Sequence, residues 1–195
     1  MFLTKISLDV QDIKKHDLQN AYAIHRFVYS LFAPAVKKGR FLYAERLSNS
    51  GKCILVLSED IPSLIPDDIQ TTSTEVTDDF LSQNAYRFEV IINPVRRDSK
   101  TRKREAILGQ LPLLQWFSEH SKQWGFEPVM ETLEARTLPS VCFPKGSAQC
   151  RLHRVLFRGI LKVTTPDIFK LTFKSGIGHS KAFGFGLLQL VPINM

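Results

Sequence analysis

The order of strand-like and helix-like segments is the feature of this sequence that most restricts its fold. Residues 2–8 alternate apolar and polar side chains as a strand does. Residues 18–32 repeat apolar side chains at helical spacing, with Asp17 as the expected N-cap. Two prolines allow no more than a short, broken helix over residues 61–69. Three further strands are predicted in this half, over residues 41–47, 52–58 and 70–76.

The second half of the chain repeats this order. A strand over residues 86–92 and a helix over residues 113–124 precede a strand, a short helix and a last strand, over residues 154–163, 167–174 and 183–191. Two successive β-α-β-β-(α)-β patterns predict an α+β chain with two tandem ferredoxin-like (RRM-like) domains, each a sheet with helices on one face. We place the boundary after a polar stretch, which gives domains of residues 1–84 and 85–195.

The formal net charge of +7 is divided unevenly between the two halves. Residues 1–85 contain nine Lys and Arg against eleven Asp and Glu, whereas residues 86–195 contain seventeen against eight. All of the positive excess therefore lies in the C-terminal half, as expected if that half binds a polyanion such as RNA.

Composition argues against several other classes of protein. No apolar run approaches the roughly 20 residues of a membrane span, and the N-terminus lacks the pattern of a signal peptide. The three cysteines are widely spaced and form no CxxC pair, which indicates reduced thiols in a cytoplasm. Four histidines are scattered without ligand-like pairing, so we expect neither a metal nor an organic cofactor: His16, His120, His153 and His179.

The first candidate site lies on the predicted helix over residues 18–32. Tyr22 and His25 are three residues apart, so their side chains are neighbours on one helix face, and Arg26 follows His25 directly. A histidine can exchange a proton near neutral pH, which cleavage of RNA requires. Taken alone, a histidine at the border of an apolar stripe is more often structural than catalytic.

A second candidate is a basic run that follows Asn93-Pro94, where we expect a mobile loop or a lead into a helix. Its six cations are Arg96, Arg97, Lys100, Arg102, Lys103 and Arg104. Such a run binds phosphates by releasing counterions but carries no sequence information. The alternative is a solvated charge run.

The third candidate is the glycine-rich segment 176–186, which includes Gly176, Gly178 and Lys181. Glycines let backbone N–H groups approach a phosphate closely, and a lysine adds charge. The spacing is not that of a Walker loop or a dinucleotide-binding loop. The alternative is a tight turn followed by a closely packed strand.

Together these segments resemble the CRISPR RNA-processing endoribonucleases of the type I-E Cascade complex. Residues 2–9 (FLTKISLD) are similar to the first strand of that family, and residues 22–26 (YAIHR) to its Y-x-x-H-R signature. Residues 93–95 (NPV), followed by residues 103–104 (KR), resemble its NP…KR segment. Residues 176–188 (GIGHSKAFGFGLL) are very similar to its closing glycine-rich motif. The blocks follow the family's order over nearly the whole chain.

The resemblance implies an activity and a setting. It implies binding of the stem-loop in CRISPR repeat RNA and metal-independent cleavage of the precursor transcript at the 3′ base of the stem. The upstream 2′-hydroxyl attacks the scissile phosphate, leaving a 2′,3′-cyclic phosphate (or a 3′-phosphate) and a 5′-hydroxyl. It also implies that the mature guide RNA is kept as part of an antiviral effector complex with other protein subunits.

The resemblance also implies roles for individual residues. His25 matches the catalytic histidine, Tyr22 a tyrosine that positions or stabilises the reacting groups, and Arg26 the arginine after the histidine. The pair 103–104 and the loop around Lys181 match RNA-contacting regions. Some relatives have an auxiliary serine two turns after the histidine, where this chain has Ala33. Residues 143–154 are where members of the family place further contacts.

Two other functions compete with the enzyme. One is a non-catalytic ferredoxin-like RNA-binding subunit of the same kind of complex, in which His25 is incidental. The other is a general RNA-recognition module that stacks bases on its sheet, for which the Phe-Gly-Phe-Gly of residues 183–186 is only a faint match.

Overall fold

The computed structural model describes residues 1–33, 41–48, 51–97, 104–145 and 148–194. The first half forms a four-stranded antiparallel sheet in the order β2-β3-β1-β4. Its strands are β1 (Phe2–Asp9), β2 (Leu42–Ser48), β3 (Gly51–Ser58) and β4 (Gln70–Glu75). This is the strand order of a ferredoxin-like sheet, and it agrees with the sequence prediction.

Two helices lie between β1 and β2, where the sequence predicted one. Helix α1 (Val10–Lys15) begins at a capping box between Asp9 and Asp12, and helix α2 is shorter than predicted, over Ala21–Ser30. The N-cap of α2 is Asn20, whose side chain accepts from the Ala23 N–H, whereas Asp17 takes a positive φ of 52° in the preceding turn. The expected N-cap at Asp17 was therefore wrong.

The apolar face of α2 covers one face of this sheet. Ile24 and Val28 are buried against strand residues that include Ile6, Ile54 and Val56. Residues 59–69 between β3 and β4, all of which the structure describes, form no helix, because their two prolines interrupt one of that length. The first sheet thus lacks the second helix of a complete ferredoxin-like domain.

The second half forms another antiparallel sheet, in the order β11-β5-β10-β8, with β9 also paired to β10. Its strands are β5 (Ala85–Ile92), β8 (Phe126–Pro128), β9 (Glu134–Lys145), β10 (Ala148–Val163) and β11 (Gln189–Pro192). Because β8 and β9 both take the position of the second strand, this is again the ferredoxin-like order.

Two helices and an aromatic cluster form the core of the second half. Helix α3 (Gln110–Ser121) continues into a 3-10 turn that ends at Gly125, and α4 covers Pro166–Ser175. The ring of Phe117 on α3 stacks on that of Phe157 on β10, with 4.5 Å between centroids. Phe126 and Phe169 are buried in the same cluster.

Three sequence predictions in this half were wrong. The last strand was expected over residues 183–191, but Gly184 and Gly186 take φ near +80°, so only Gln189–Pro192 is extended. Strand β9 was not predicted, and β10 begins at Ala148, six residues before the expected start. The basic run was expected to be a mobile loop or a lead into a helix. Its two ends instead lie on strands that pair with each other, β6 (Val95–Arg97) and β7 (Arg104–Ala106). Lys100, Arg102 and Lys103 lie outside the described residues.

The two sheets share part of one core. Leu42, Ala44 and Leu57 of the first sheet are buried in the cluster that contains Phe88 and Val90 of the second. Arg46 forms an ion pair with Glu89 across the junction. Among the described residues, no helix is both long and apolar enough to cross a membrane.

Candidate active site

The candidate catalytic residues lie on one face of α2, as their spacing predicts. His25 is half-buried, and the Tyr22 side chain beside it is 50% exposed, with 6.3 Å between the ring centroids. Tyr29, one turn further along, lies 4.4 Å from the His25 ring. Arg26 points away from the buried face and is exposed. The structure thus brings Tyr22 and His25 together at the protein surface.

His25 makes its polar contact with the glycine-rich segment of the other half. Its Nδ1 lies 2.6 Å from the carbonyl oxygen of Ala182, and its ring lies 5.3 Å from that of Phe183. A carbonyl oxygen can only accept, so Nδ1 carries the hydrogen. The neutral imidazole therefore has its lone pair on Nε2, which is the nitrogen left to accept a proton from a substrate.

The same carbonyl oxygen has a second donor. The hydroxyl of Tyr43 on β2 donates to Ala182 O at 3.1 Å. Burial raises the pKa of Tyr43 above its usual value, and the nearby Glu45 carboxylate raises it further. Tyr43 therefore remains a neutral hydrogen-bond donor at the pH values where a histidine titrates.

A cleft of about 240 Å³ opens beside this cluster. Its walls include the start of α2 at Asn20 and Ala21, Cys142 on β9, and Phe183 and Gly184 of the glycine-rich segment.

Arg154 also lines this cleft and was not predicted as a site residue. It is half-buried and lies close enough to Tyr43 to lower the pKa of that phenol, against the larger effect of burial. Glu45 and Lys52 of the same lining pair with each other at 3.3 Å, so Arg154 gives the lining a net positive charge. Such a charge can stabilise negative charge that develops on a phosphate.

The described part of the basic run lies on the ribbon of β6 and β7. Arg96 and Arg97 are exposed on β6, and Arg96 lies 3.9 Å from Glu105 on the neighbouring strand. Arg104 is exposed on β7. Arg102 and Lys103, both predicted to bind RNA, fall outside the described residues.

Arg104 also lines a second pocket of about 300 Å³. Cationic or ionisable side chains from two further segments line the same pocket: Arg151 and His153 on β10, and His179 after α4. The lining contains no acidic residue, and within the described ranges none of these four side chains forms an ion pair. The uncompensated charge favours a bound phosphate.

Glycines of the glycine-rich segment pack closely against side chains from other parts of the protein. A Cβ at Gly176 would lie 2.8 Å from Leu42 Cδ1, and one at Gly178 would lie 2.9 Å from Ile92 Cγ2. Lys181 Nζ donates to the carbonyl oxygen of Ser175 at 2.7 Å. These contacts explain the glycines without a phosphate. Phosphate binding by Gly176, Gly178 and Lys181 stays a prediction.

The position of the family's auxiliary serine gives no catalytic side chain here. Ala33 lies beyond the end of α2 at Ser30, and the Ser30 hydroxyl donates to the Phe27 carbonyl oxygen of its own helix. In the part of the chain that the structure describes, no three His, Cys, Asp or Glu side chains are grouped so that they could hold a metal ion.

Comparisons with known proteins agree with this architecture. A family model described as "CRISPR associated protein" matches residues 1–192. The CRISPR-associated endoribonuclease Cse3 of Thermus thermophilus is 25% identical over 217 aligned positions, which cover 98% of this chain and all of the relative.

Solved structures show the same fold. A Cse3 endoribonuclease bound to a 19-nucleotide RNA superimposes with a TM-score of 0.83 at 24% identity, covering 98% of this chain and all of the other. A chain from a CRISPR RNA-guided surveillance complex gives a TM-score of 0.70 at 19% identity, covering 99% of this chain and all of the other.

Proposed function

The chain belongs to the family of CRISPR-associated proteins, and from that premise we propose that it is a metal-independent endoribonuclease. It binds the stem-loop of CRISPR repeat RNA and cleaves the precursor transcript at the 3′ base of the stem. The observation that carries the proposal is His25, whose Nδ1 is held by Ala182 O, leaving Nε2 for the substrate. The His25 ring contacts that of Phe183, which lines the adjoining cleft. The similarity to an endoribonuclease over 98% of this chain and all of the relative supports the proposal.

The chemistry needs one proton acceptor and stabilisation of charge, because RNA supplies its own nucleophile. His25 Nε2 takes the proton of the 2′-hydroxyl upstream of the cut as that oxygen bonds to phosphorus. The bond from phosphorus to the 5′-oxygen breaks, and the leaving oxygen gains a proton from solvent. The products are a 2′,3′-cyclic phosphate and a 5′-hydroxyl.

Neighbouring side chains hold the reacting phosphate. Tyr22 is exposed on the face of α2 that carries His25, where its hydroxyl can donate to a phosphate oxygen. Arg154 supplies a positive charge in the cleft, and Arg26 adds one at the helix surface. Fixed donors and cations of this kind lower the barrier by stabilising charge as it develops.

The RNA stem binds to the basic C-terminal half in this proposal. The pocket around Arg104, Arg151, His153 and His179 takes backbone phosphate, and the β6–β7 ribbon extends that surface through Arg96 and Arg97. Arg102 and Lys103 follow in the same run of sequence. The glycine-rich segment contributes through Gly176, Gly178 and Lys181. These residues position the stem, and the cleft beside His25 receives the strand that is cut.

The setting follows from the family. The protein retains its product as the guide RNA of a multi-subunit antiviral effector complex, in the cytoplasm, where Cys53 and Cys142 stay reduced. Residues 1–84 form the domain with the catalytic helix, and residues 85–195 form the RNA-binding domain. Slow turnover suits an enzyme that keeps its product.

A cleavage assay on the cognate repeat RNA tests the proposal. The wild-type protein is expected to cut the stem-loop at its 3′ base in excess EDTA. A substrate with a 2′-deoxy sugar just upstream of the cut should bind equally well and stay intact, because its nucleophile is missing. Cleavage that requires magnesium, or that survives the deoxy substitution, contradicts this mechanism. Tight binding without cleavage of either RNA would identify a non-catalytic subunit instead.

A further inference from the structure

We propose that Tyr43 is a positioning residue of the active site, which fixes the tautomer and the orientation of His25 through the carbonyl oxygen of Ala182. The expected effect of Tyr43 on cleavage rests on the proposed catalytic role of His25. The effect of Tyr43 on which imidazole nitrogen carries the proton can be measured without RNA.

The geometry centres on one shared acceptor. Ala182 O lies 2.6 Å from His25 Nδ1 and 3.1 Å from the Tyr43 hydroxyl. A carbonyl oxygen has two lone pairs, and two donors use both. Tyr43 therefore holds the oxygen in a position where its remaining lone pair faces His25.

Tyr43 is well placed for this role because the ring itself has little freedom. It is 2% exposed within the core beneath α2. On the side of the glycine-rich segment it packs directly on Gly184, where an added Cβ would lie 3.0 Å from Tyr43 Cε2. Gly184 has a φ of +80°, so the backbone after Ala182 turns tightly against the phenol ring.

The hydrogen bond joins two parts of the chain that are far apart in sequence. Tyr43 lies on β2, next to the catalytic helix, and Ala182 lies in the 3-10 turn Lys181–Phe183. Without the hydroxyl, that turn has one hydrogen bond fewer to the first sheet. The carbonyl oxygen can then rotate away from His25, and the imidazole exchanges between both tautomers.

The opposing interpretation is that Tyr43 is only a core residue with a satisfied hydroxyl. Tyr86 provides a matched comparison, because it is also fully buried and its hydroxyl donates to a backbone carbonyl oxygen, that of Phe80, at 2.5 Å. Tyr86 packs on Phe169 in the other core, away from His25. The Tyr86 hydroxyl also accepts from the Gln83 N–H at 3.1 Å. Tyr86→Phe therefore removes at least as much hydrogen bonding as Tyr43→Phe does, without touching the proposed site.

The test measures the His25 imidazole nitrogens by long-range ¹H–¹⁵N correlation in the full-length protein. In wild type and Tyr86→Phe, the neutral imidazole of His25 should carry its proton on Nδ1. Tyr43→Phe should show a substantial population protonated on Nε2. If Tyr43→Phe keeps the Nδ1–H tautomer, or if Tyr86→Phe shifts it equally, the positioning role is wrong.

Cleavage of the repeat RNA gives the functional arm. Tyr43→Phe should lower the single-turnover rate by about five- to tenfold, less than the ~10²-fold expected for loss of a general base, while the Kd for the RNA stays unchanged. Replacement of Tyr43 by 4-aminophenylalanine, whose amine can donate to Ala182 O, should restore both the tautomer and most of the rate. A loss of rate that the amine does not rescue would overturn the proposal.

The two arms separate this inference from the proposed function. A wild-type protein that cuts no repeat RNA refutes the proposed function, and the tautomer measurement still decides the role of Tyr43. If Tyr43→Phe, Tyr86→Phe and the 4-aminophenylalanine variant all cut RNA at the wild-type rate, the proposed function is supported and the positioning role is refuted.

Discussion

At the scale of single residues, His25 differs from His16 and His120 in where its partner lies. His120 bonds through Nδ1 to the Trp116 carbonyl oxygen one turn back in its own helix, and His16 pairs with Asp68 on the surface. His25 reaches a carbonyl oxygen 157 residues away. Its protonation pattern is therefore set by tertiary structure, which is how a catalytic imidazole is held in one orientation.

Replacing His25 tests its role most directly. His25→Ala should reduce the single-turnover cleavage rate by about 10²-fold or more, because the proton acceptor is removed, while repeat RNA binds with near-normal affinity. Tyr22→Phe should cost less, since a hydroxyl that only positions a phosphate is partly replaceable. His120→Ala, the same change on another helix, serves as the control and should cleave as the wild type does. A His25→Ala protein that cleaves at the wild-type rate would return the residue to a structural role.

The sequence was sufficient to place Tyr22 and His25, the proposed catalytic pair, side by side, but it did not predict their surroundings. Tyr22 and His25 are neighbours through helical spacing, a local property that four residues of sequence reveal. Tyr43 and Ala182 join this cluster only through the packing of β2 against a turn 139 residues later. Arg154 reaches the cleft from β10. The one local signal for this arrangement was the cluster of glycines and phenylalanines at residues 183–186, which marks a tight turn without indicating what it packs against.

At the scale of secondary structure elements, periodic segments were predicted well and irregular ones were not. Strands β1, β3 and β5 fall within one or two residues of the prediction because alternation or a continuous apolar run defines them. The hairpin of β9 and β10 extends beyond the sheet, and Pro139, Ser140, Cys142 and Arg151 on this extension are exposed, so they add little to a hydrophobic pattern. Residues 184–188 were predicted as part of a strand because they include several apolar side chains. Those side chains are buried, but the strand begins only at Gln189.

The convergence of Arg104 and Arg151 on one pocket makes a prediction about salt. Changing both to Gln should weaken repeat RNA binding and reduce the slope of log K against log salt by about 0.9 for each phosphate of a base-paired stem that the variant no longer neutralises. Arg158→Gln is the control, because this exposed side chain on β10 is already paired with Glu134 at 2.7 Å. Titrations at several salt concentrations measure the slopes. Equal slopes for the double variant and the wild type would mean that the pocket holds no phosphate.

A substitution at Gly184 distinguishes between two roles of the glycine-rich segment, support of the active site and direct binding of phosphate. If Gly184 serves the active site through Tyr43, Gly184→Ala should slow cleavage by about tenfold or more, within the usual range for a misplaced catalytic group, and should change RNA affinity little. If the segment binds phosphate directly, affinity should fall as well. Gly109→Ala is the matched control, since Gly109 also has a positive φ, of 91°, but an added Cβ there meets nothing closer than 3.5 Å. Single-turnover rates and binding curves for both variants distinguish the roles.

At the scale of the whole molecule, two sheets of the same strand order divide the work. The first carries α2, the proposed catalytic helix, and the second belongs to the half that carries the positive excess and the turn whose Ala182 carbonyl oxygen contacts His25. The repeated pattern in the sequence predicted the two sheets, and the division of roles between the two halves stays a prediction. The sequence could not predict that Leu42, Ala44 and Leu57 of the first sheet are buried against the second. Apolar side chains in a strand indicate that one face is buried, but they do not indicate which part of the chain covers that face. The shared core makes the geometry at His25 depend on both halves.

A substitution far from the junction tests whether the halves unfold as one unit. Both tryptophans, Trp116 and Trp124, lie in the second half, so their fluorescence reports its unfolding alone. Ile54 is fully buried in the cluster beneath α2, which belongs to the first half. If the shared core couples the halves, Ile54→Ala should lower the unfolding free energy by about 2–5 kcal/mol, and the tryptophan transition in urea should shift with it.

The control for this experiment is Leu42→Ala, because Leu42 touches the second half directly and would lie 2.8 Å from a Cβ at Gly176. It should shift the tryptophan transition whether or not the halves are coupled. Far-UV circular dichroism follows both sheets and should give the same midpoint as fluorescence in each variant. An Ile54→Ala protein whose fluorescence midpoint matches the wild type, while circular dichroism shows an earlier transition, would mean that the halves unfold independently. The hydrogen bond between His25 and Ala182 would then break whenever the first half opens alone, so activity in moderate urea should follow the earlier transition.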